Sequence, residues 1–490
     1  MTRSAAADAP TAHTDHGLAH ESISQVEVLA QSVAGIAPSA VMATGPALIV
    51  LYAGSGAWLS YVVAMIVVVL IGLCVAQFAR RFASSGSLYS YVARGLGPTG
   101  AFAAGWGLVI GYTCIAMVGL AGSGIYLGNF LTTIGLPGSS TLTQVIIFVV
   151  LATAAGRLAV TGIRISTRLG LVLEIISVLA VLVVLIVVLV RNGFSFDTAQ
   201  IHLDGVTFDG VTFGIVLAVL GFVGFESSAC LGAEARNPHR AIPRAVLGSA
   251  VLVGLLFIFS AYTSVLGFGG PDGLAKSDAP VSDLATQNGL GSVTWVIDLG
   301  ITASFFAVII ASINASSRVL YTMGEEGLLP PMFARAHPTH KTPHIAIWVG
   351  TPVVAIVPLV MVATGTTPLN IYAYTGTVGT FGYMLAYLLM AVALPIFLRR
   401  RRETKPAITT VVVVVVAALL YIFYKNVVPV PEPPYDLLPY IFAGVLALGL
   451  AWYLYVRITA PQRVQEVGMM EEDPLPQVEA TSNGPNATHP

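Results

Sequence analysis

Long apolar runs separated by short polar connections fill most of the chain. Each run has about 20 residues, the length that a helix needs to cross about 30 Å of hydrocarbon. The runs are continuous and do not alternate with period two, so they predict helices and not the strands of a barrel. We place twelve spans near residues 27–52, 58–79, 101–133, 143–161, 168–190, 212–232, 246–268, 292–320, 344–364, 370–398, 407–425 and 435–457.

The twelve runs also divide the chain into a core and two tails. Residues 1–25 are small and polar and lack the basic start and short apolar segment of a cleaved signal peptide. Residues 458–490 carry Glu, Pro and Ser. We expect disordered tails at 1–25 and 458–490, a ten-helix core at 26–398, and two accessory helices, eleven and twelve, at 399–457.

Composition supports an all-α integral membrane protein. The chain has 490 residues, of which 56% are hydrophobic and 10% charged, and its mean hydropathy is +0.83. Soluble proteins carry about 25% charged residues, so the soluble class is excluded. The formal net charge of −1 gives no reason to expect a nucleic-acid partner.

The distribution of basic residues predicts the orientation. Of the 23 Lys and Arg residues, 20 lie in the two tails and the even-numbered connections, and the odd-numbered connections hold only Arg191, Lys276 and Lys425. Basic residues concentrate on the cytoplasmic side of membrane proteins. We therefore expect both termini in the cytoplasm and the chain in the cytoplasmic membrane.

The sixth span contains features that a lipid-facing helix does not tolerate. Gly221, Gly224 and Gly232 loosen its backbone, and Glu226 places a carboxyl group near its middle. A carboxylate in hydrocarbon costs at least about 2.5 kcal/mol and normally faces a cavity or a partner. Unpaired backbone groups at membrane depth require protein or water beside them. The sequence therefore predicts a binding site at this span.

The first span has a matching interruption at Gly35 and Pro38, since proline removes a backbone donor and clashes with the preceding turn. A proline kink without function is the alternative for this span alone. Interrupted helices in corresponding positions, the first and the sixth, are typical of transporters built from inverted repeats of five helices. The substrate of such proteins lies between the two interruptions, near the middle of the bilayer.

Other polar residues within the spans have two interpretations each. Glu174 in the fifth span either pairs with Arg164 or Arg168 or carries a proton or counter-charge. Trp106 and Tyr112 in the third span either pack between helices or line a pocket. Most small and hydroxyl residues of the eighth span allow close helix packing. Two of them, Thr302 and Ser304, could also supply oxygen atoms to a cation.

Neither a metal site nor an enzyme is indicated. The three cysteines lie within apolar segments and have no metal-ligand spacing. A membrane-embedded enzyme needs metal ligands or a catalytic pair within its spans, but the nine histidines lie in tails, in connections or at the edge of a span. We expect no cofactor and no metal.

Three groups of motifs carry a resemblance to a known family. They are SGSLYSY at 85–91 followed by Arg94 and Trp106; GFVGFE at 221–226 followed by AEARNP at 233–238 and RAIP at 240–243; and ASINASSR at 311–318 followed by YTMG at 321–324 and GLLP at 327–330. With these three groups of motifs in this order, the sequence resembles the amino acid permeases of the amino acid–polyamine–organocation superfamily. The likeness extends through all twelve predicted spans.

The resemblance implies a five-plus-five inverted repeat, as in LeuT-like proteins, that transports amino acids by alternating access. In the family, the interrupted first helix binds the substrate carboxylate through backbone N–H groups. That segment corresponds here to Gly35, Ile36, Ala37, Pro38, Ser39 and Ala40. The sixth-helix interruption, which contacts the amino group and side chain, corresponds to Leu220, Gly221, Phe222, Val223 and Glu226. Glu226 matches a family carboxylate with a role in gating and proton coupling, and Trp106 matches a gating aromatic.

Two departures leave the coupling ion open. Pro38 has no N–H group, so the donors for the substrate carboxylate differ from those of glycine-rich relatives. Some proton-driven relatives carry a lysine in the fifth helix, and the matching position here is Ser177, with Glu174 one turn earlier. Either Glu226 and Glu174 carry protons, or a cation binds near Thr302, Ser304 and Ser177, or the protein is an exchanger.

The sequence as a whole predicts a proton-coupled amino acid transporter. Its partners would be a neutral or cationic amino acid, protons and membrane lipids, and helices eleven and twelve offer a surface for oligomerisation. An exchanger of amino acids or polyamines on the same fold is the first alternative. A membrane-embedded enzyme, a channel and a nutrient sensor are the others.

Overall fold

The computed structural model describes residues 23–277, 279–428, 433–465 and 467, without the side chains of 163–167, 293 and 465. Residues 1–22, 466 and 468–490, which make up most of the predicted tails, lie outside the described residues. The prediction that the tails are disordered therefore remains a prediction.

The regular elements of the described chain are helices. The only β-bridge among the described residues is an isolated one between Ile23 and Ala235. The helices are α1 (Gln25–Ile36), α2 (Pro38–Ala53), α3 (Ala57–Ala79), α4 (Leu88–Thr133), α5 (Thr141–Thr161), α6 (Ile163–Arg191), α7 (Thr198–His202), α8 (Phe208–Gly221), α9 (Pro238–Gly267), α10 (Pro271–Leu274), α11 (Pro280–Gln287), α12 (Thr294–Glu325), α13 (His344–Ala363), α14 (Pro368–Arg400), α15 (Pro406–Lys425), α16 (Leu438–Thr459) and α17 (Pro461–Gln465).

Ten stretches of the described chain are long and apolar enough to cross a membrane. The first of them, Gln25–Ala79, contains the first two predicted spans, and Phe208–Gly221, in the sixth predicted span, is a shorter apolar helix. The protein is therefore a multi-pass, all-helical membrane protein. The count of twelve spans stays a prediction.

Two helical segments stop within the bundle. Helix α1 ends at Ile36, and Ala37 adopts a left-handed conformation with φ of 53° before α2 begins at Pro38. Proline is well suited to a first helical position because the N–H group that it lacks would have no intrahelical partner. The α1–α2 junction therefore ends one helix and starts another without a connecting loop.

The second interruption follows α8, which ends at Gly221. Gly224 has φ of 96°, a conformation that L-residues rarely adopt. A 3-10 helix at Ser227–Leu231 continues the chain, and α9 begins at Pro238. The segment from Gly221 to Pro238 thus crosses the bundle interior without a regular α-helix.

Helix α4 is the centre of the packing, since α14 and α12 lie along it. A Cβ atom on Gly382 of α14 would lie 2.4 Å from the Gly107 carbonyl oxygen of α4. Small residues allow helix backbones in membrane proteins to approach this closely. The close contact fixes the position of α4 and α14 relative to each other, and both helices carry side chains of the site.

Polar contacts connect the helices at the end of the bundle that we predict to be cytoplasmic. Arg318 of α12 forms a two-pronged ion pair with Glu234, with distances of 2.6 and 3.1 Å, and both side chains are fully buried. The N–H group of Ile23 donates to the Glu234 carbonyl oxygen. Glu27 of α1 pairs with Arg168 of α6 at 2.6 Å. These contacts tie α12 and the residues before α1 to the second interruption, and α1 to α6.

The connections outside the spans are tied together as well. Arg81, after α3, donates to Glu403, between α14 and α15, at 2.7 Å. This hydrogen bond and the positive charge of Arg81 lower the pKa of the Glu403 carboxyl. The contact joins the core to the first of the two accessory helices.

Candidate substrate-binding site

The two interruptions lie directly against each other. A Cβ atom on Gly35 would lie 2.8 Å from the Gly224 carbonyl oxygen and 2.6 Å from Ser227 Oγ. A Cβ atom on Gly224 would lie 2.5 Å from the Gly35 carbonyl oxygen. Only glycine at both positions allows this approach, so the two backbones meet without side chains between them.

Hydroxyl groups hold the two segments in this position. Ser227 Oγ donates to the Gln31 carbonyl oxygen at 3.0 Å, and Ser32 Oγ donates to Ser228 Oγ at 2.7 Å. The Gln31 side chain in turn donates to the Ala311 carbonyl oxygen of α12 at 3.0 Å. Each bond satisfies a polar group that would be costly to bury alone.

A cavity of about 70 Å³ opens beside the contact between the interruptions. Residues of both interruptions and of α3, α4, α12 and α14 line it: Gly35, Ile36, Ala37, Ala40, Val41, Gly45, Leu48, Ile49, Tyr61, Ile115, Val118, Leu217, Leu220, Gly221, Val223, Phe305, Val308, Tyr372 and Gly376. None of these described lining residues is charged. The lining therefore suits an apolar side chain, with backbone groups at the interruptions as the polar contacts.

The predicted site residues divide into two groups. Those that line the cavity are Gly35, Ile36, Ala37, Ala40, Leu220, Gly221 and Val223. Pro38, Ser39, Phe222, Tyr112 and Glu226 lie close in the chain or in space but are not among its lining residues. The Phe222 ring packs against Phe257 of α9, and the other four belong to the α2 start or to the carboxyl networks.

Glu174 of α6 is buried at the start of α2. Its Oε1 accepts a hydrogen bond from the Ser39 N–H at 2.9 Å, and its Oε2 accepts one from Ser304 Oγ of α12 at 2.5 Å. A negative charge here is favoured by the partial positive charge of a helix N-terminus. Glu174 thus joins three helices at the first interruption.

The alternative that Glu174 pairs with an arginine is not what the described contacts show. Arg168 pairs with Glu27 instead, and the Arg164 side chain lies outside the described residues. Glu174 is therefore held by uncharged donors from α2 and α12.

Glu226 joins the second interruption to α4 and α14. The Tyr112 hydroxyl of α4 donates to its carboxyl at 2.9 Å, and the Tyr387 hydroxyl of α14 donates to the other carboxyl oxygen. Glu226 is fully buried. A carboxyl held by two tyrosines from different helices can keep those helices together or, without its hydrogen bonds, let them separate.

Each of the three hydroxyl groups of the predicted cation site donates to a different acceptor. Ser177 Oγ donates to the Gly300 carbonyl oxygen, and Thr302 Oγ1 donates to the Asp298 carbonyl oxygen at 2.7 Å. Only Ser304 reaches Glu174. In the described part of the chain no group of three or more His, Cys, Asp or Glu residues could hold a metal ion.

Trp106 lies away from the cavity, on the other side of α4. Its indole N–H donates to the Val445 carbonyl oxygen of α16 at 3.0 Å, and its ring packs against Gly449. The structure therefore places this predicted gating residue against the last long helix of the described chain.

Sequence reasoning missed two kinds of site residue. Tyr387, which binds Glu226, is a hydroxyl-bearing aromatic residue in an apolar run. That combination is the only sequence feature that could have identified it as a site residue. Tyr61 and Phe305 line the cavity from α3 and α12, but nothing in their sequence neighbourhood indicates which way they point. Tyr372 and Gly376 belong to a stretch whose polarity does indicate a cavity border.

Comparisons with known proteins identify the family of the chain. The sequence profile of the family described as "Amino acid permease" matches residues 23–450. The branched-chain amino acid permease BcaP of Bacillus subtilis is 27% identical over 316 residues, which cover 60% of this chain and 65% of that protein. The methylthioribose transporter of Bacillus subtilis is 26% identical, over 63% of this chain and 66% of that protein.

A third relative, the mouse cationic amino acid transporter 4, is 27% identical over 63% of this chain and 50% of that protein. The aligned regions thus span less than two thirds of the length of these three relatives.

The fold also has a solved counterpart. A crystal structure of MhsT in complex with L-phenylalanine superimposes with a TM-score of 0.62, covering 83% of this chain and 99% of that one at 13% identity. At this identity the likeness shows the fold alone, which is LeuT-like. The family match extends over most of the chain. This protein therefore belongs to the amino acid permease family, within the amino acid–polyamine–organocation superfamily.

Proposed function

We propose that this protein carries a neutral amino acid across the cytoplasmic membrane by alternating access, in symport with protons. The observation that carries the proposal is the direct contact of two helix interruptions beside a buried cavity. In this proposal α1 and α2 form one interrupted span, and α8 with the following 3-10 helix forms another. Counting each as one span gives twelve, in two five-helix halves and two accessory helices, with both termini cytoplasmic.

The substrate would be bound by its charged ends at the two interruptions. Helix N-termini attract a carboxylate and helix C-termini attract an ammonium group. Helix α2 begins next to the cavity, with Ala37 and Ala40 in the lining, and α8 ends there with Gly221. An amino acid lying across the contact would therefore place its carboxylate at the α2 start and its ammonium group at the α8 end.

The cavity lining favours an aliphatic or aromatic substrate side chain. A cationic side chain buried among aliphatic residues without a counter-charge would be costly. Glu226 and Glu174 are the nearest candidates for that counter-charge, but both already accept hydrogen bonds outside the lining. We therefore favour a neutral apolar amino acid such as leucine over a cationic amino acid or polyamine. One relative is named as a branched-chain amino acid permease, which is in line with this preference.

Proton coupling would act through Glu174. Ser39 is the first residue of α2 with an N–H group, because Pro38 has none, and Glu174 occupies that donor. A substrate carboxylate at the same helix start would approach a second negative charge, which raises the free energy of binding. Protonation of Glu174 removes this repulsion and weakens its hold on the Ser39 donor. Substrate and proton would thus bind together.

Glu226 would then control opening. Its two tyrosine partners link the second interruption to α4 and α14. Loss of these hydrogen bonds on helix movement would let the second interruption separate from α4. In this proposal Glu226 responds to the substrate, and Glu174 carries the proton.

Uptake by proteoliposomes tests the proposal. Purified protein is reconstituted and loaded with buffer at pH 7.5, and uptake of radiolabelled leucine, phenylalanine, arginine and putrescine is followed with and without an outside pH of 5.5. We expect accumulation of leucine or phenylalanine that requires the gradient and is abolished by a protonophore. Absence of accumulation of every compound under every gradient would contradict transport.

The exchanger alternative has its own outcome in the same assay. Uptake that depends on unlabelled amino acid inside the vesicles, and that the pH gradient leaves unchanged, would replace symport by exchange. Binding measured by thermal shift without any flux would instead support a sensor.

A further inference from the structure

A second and larger cavity, of about 630 Å³, lies on the far side of α4 from the candidate site. Helices α13 and α16 form its walls, and α4, α12 and α14 form its floor. We call it the lateral groove and define it by its lining: Trp106, Val109, Ile110, Thr113, Cys114, Met117, Ser316, Leu320, Leu329, Phe333, Val349, Gly350, Val353, Val357, Met361, Tyr374, Thr375, Val378, Pro434, Leu437, Leu438, Ile441 and Val445.

The groove opens sideways into the bilayer. In the described chain α13 packs mainly on α5, α12 and α4, whereas α16 packs mainly on α14 and α4. The two walls therefore rest on a shared floor and leave a gap between them. Val349 and Val353 on one wall and Ile441 on the other are large apolar residues with about half of their surface exposed. The medium outside this gap is hydrocarbon.

The lining is apolar and does not suit water or a polar ligand. None of its described residues is charged, and hydroxyl groups come only from Thr113, Ser316, Tyr374 and Thr375. One of these, the Thr375 hydroxyl, already donates to the Ile371 carbonyl oxygen within α14. A buried water needs two to four polar partners. Surfaces facing an empty void lose their dispersion contacts, so the groove favours a hydrocarbon occupant.

The length of the groove suits a hydrocarbon chain. From Val349 to Met361 its wall extends about 18 Å, at 1.5 Å per residue. With about 630 Å³ of space along this wall, the groove has room for a hydrocarbon chain that lies parallel to α13.

One end of the groove carries tryptophans and arginines. A smaller adjoining cavity shares Trp106 and Leu329 with the groove and extends it to Trp452, whose indole N–H donates to the Leu328 carbonyl oxygen at 2.9 Å. Tryptophan is enriched at membrane interfaces. Arg335 follows the lining residue Phe333 by two positions and is exposed.

A second arginine lies at the same end. The side chain of Arg463 packs beside Gly327, two residues before Leu329. Both arginines are exposed, and they lie at the end at which we expect the cytoplasmic surface.

We propose that the lateral groove binds an anionic phospholipid of the cytoplasmic leaflet. One acyl chain lies between α13 and α16, and the phosphate lies near Arg335 and Arg463. The apolar lining selects the chain, and the two arginines select the headgroup charge. This binding site does not depend on the transported substrate, so it can be tested whether or not the proposed function holds.

Photolabelling in lipid nanodiscs tests the chain position. The full-length protein is placed in nanodiscs containing a trace of phosphatidylglycerol with a diazirine in its acyl chain, irradiated, digested and mapped by mass spectrometry. We expect the labels to concentrate on groove residues of α13, α16 and α4. Labels spread evenly over the lipid-facing helices would overturn the proposal, and so would crosslinks from groove residues to a second copy.

A groove-filling variant and a matched control sharpen the mapping. Val353→Trp fills the groove from α13, whereas Leu420→Trp adds the same ring to an exposed position of α15 that is not among the groove-lining residues. We expect the first to lose most groove labels and the second to keep them. Equal groove labelling in both would contradict the proposal. The mapping of the unsubstituted protein stands even if a variant fails to fold.

Competition measures the headgroup preference. Unlabelled phosphatidylglycerol should displace the probe about 30-fold better than phosphatidylcholine with the same chains, as expected for two arginines near the surface. The double variant Arg335→Gln/Arg463→Gln should remove this preference and keep the chain labels in the groove. Equal competition by the two lipids on the unsubstituted protein would overturn the anionic headgroup.

Discussion

Replacing Gly224 by alanine should separate the two helix interruptions. The added Cβ would lie 2.5 Å from the Gly35 carbonyl oxygen and 2.9 Å from the Gly35 carbonyl carbon. An L-residue in a left-handed conformation costs about 1–2 kcal/mol, and here φ is 96°. Overpacking of a tight interior costs about 1–3 kcal/mol. Together these costs give about 2–5 kcal/mol. The lower value corresponds to about a 30-fold decrease in the equilibrium constant for the contact between the two interruptions.

Gly248 provides a matched control. It lies within α9, and no atom lies within 4 Å of the Cβ that alanine would add. Alanine is about 0.5–1 kcal/mol better than glycine inside a helix, so Gly248→Ala should leave stability unchanged or slightly higher. Both variants are assayed in detergent by thermal unfolding and by equilibrium binding of radiolabelled leucine.

The expected results differ clearly. Gly224→Ala should lower the melting temperature and weaken leucine binding about 30-fold, the factor that follows from 2 kcal/mol. Gly248→Ala should bind leucine like the unsubstituted protein. If Gly224→Ala also bound leucine with unchanged affinity, the contact between the interruptions would not form the binding site, and the reasoning above would be refuted.

Three further predictions concern the buried carboxyl groups. Glu174→Gln should abolish the acceleration of leucine uptake by an inward proton gradient and retain leucine counterflow; gradient-driven uptake equal to that of the unsubstituted protein would contradict its role. Tyr387→Phe and Tyr112→Phe should each alter the leucine uptake rate through loss of a hydrogen bond worth about 1–3 kcal/mol, and a double-mutant cycle should show non-additive effects because both bind one carboxyl. Glu234→Ala should destabilise the protein by about 3–5 kcal/mol, because it leaves Arg318 buried without its partner, and thermal unfolding unchanged from the unsubstituted protein would argue against this pair.

Much of the fold could be predicted because a membrane span has a simple sequence signature. The bilayer sets the length of each apolar run, and several helices of the structure follow the predicted runs closely, as at Thr141–Thr161 against 143–161. Helix α4 departs from its run, since it begins at Leu88 and the run at residue 101. The position of Pro38 likewise marks the first residue of α2, because proline cannot continue α1 but can begin a helix.

The rotation of each helix could not be predicted in the same way. Lipid chains and the protein interior are both apolar, so a span such as α3 is apolar on all sides and its sequence does not show which face points inward. For this reason the sequence left two interpretations of Trp106, packing between helices or lining a pocket, and did not indicate its contact with α16. The pairing of Tyr387 with Glu226 joins residues 161 positions apart and depends on two such rotations.

Charged residues near span ends posed a related difficulty. Glu174 and Arg168 lie less than two helical turns apart on α6, which favoured a local pair. Arg168 binds Glu27 of α1 instead, and Glu174 binds Ser39 and Ser304. Local spacing gives the partners that are within reach, and the packing of neighbouring helices decides among them.

The most direct test of the account is protection of the cavity by substrate. Val223→Cys, at the second interruption, is made in a protein whose three native cysteines are replaced, and its alkylation by a small methanethiosulfonate is measured with increasing leucine. Val349→Cys in the lateral groove is the control. We predict that leucine protects Val223→Cys with the same half-maximal concentration as it shows in uptake and leaves Val349→Cys unprotected. Labelling of Val223→Cys that leucine does not change, in protein that transports leucine, would contradict a substrate site between the two interruptions.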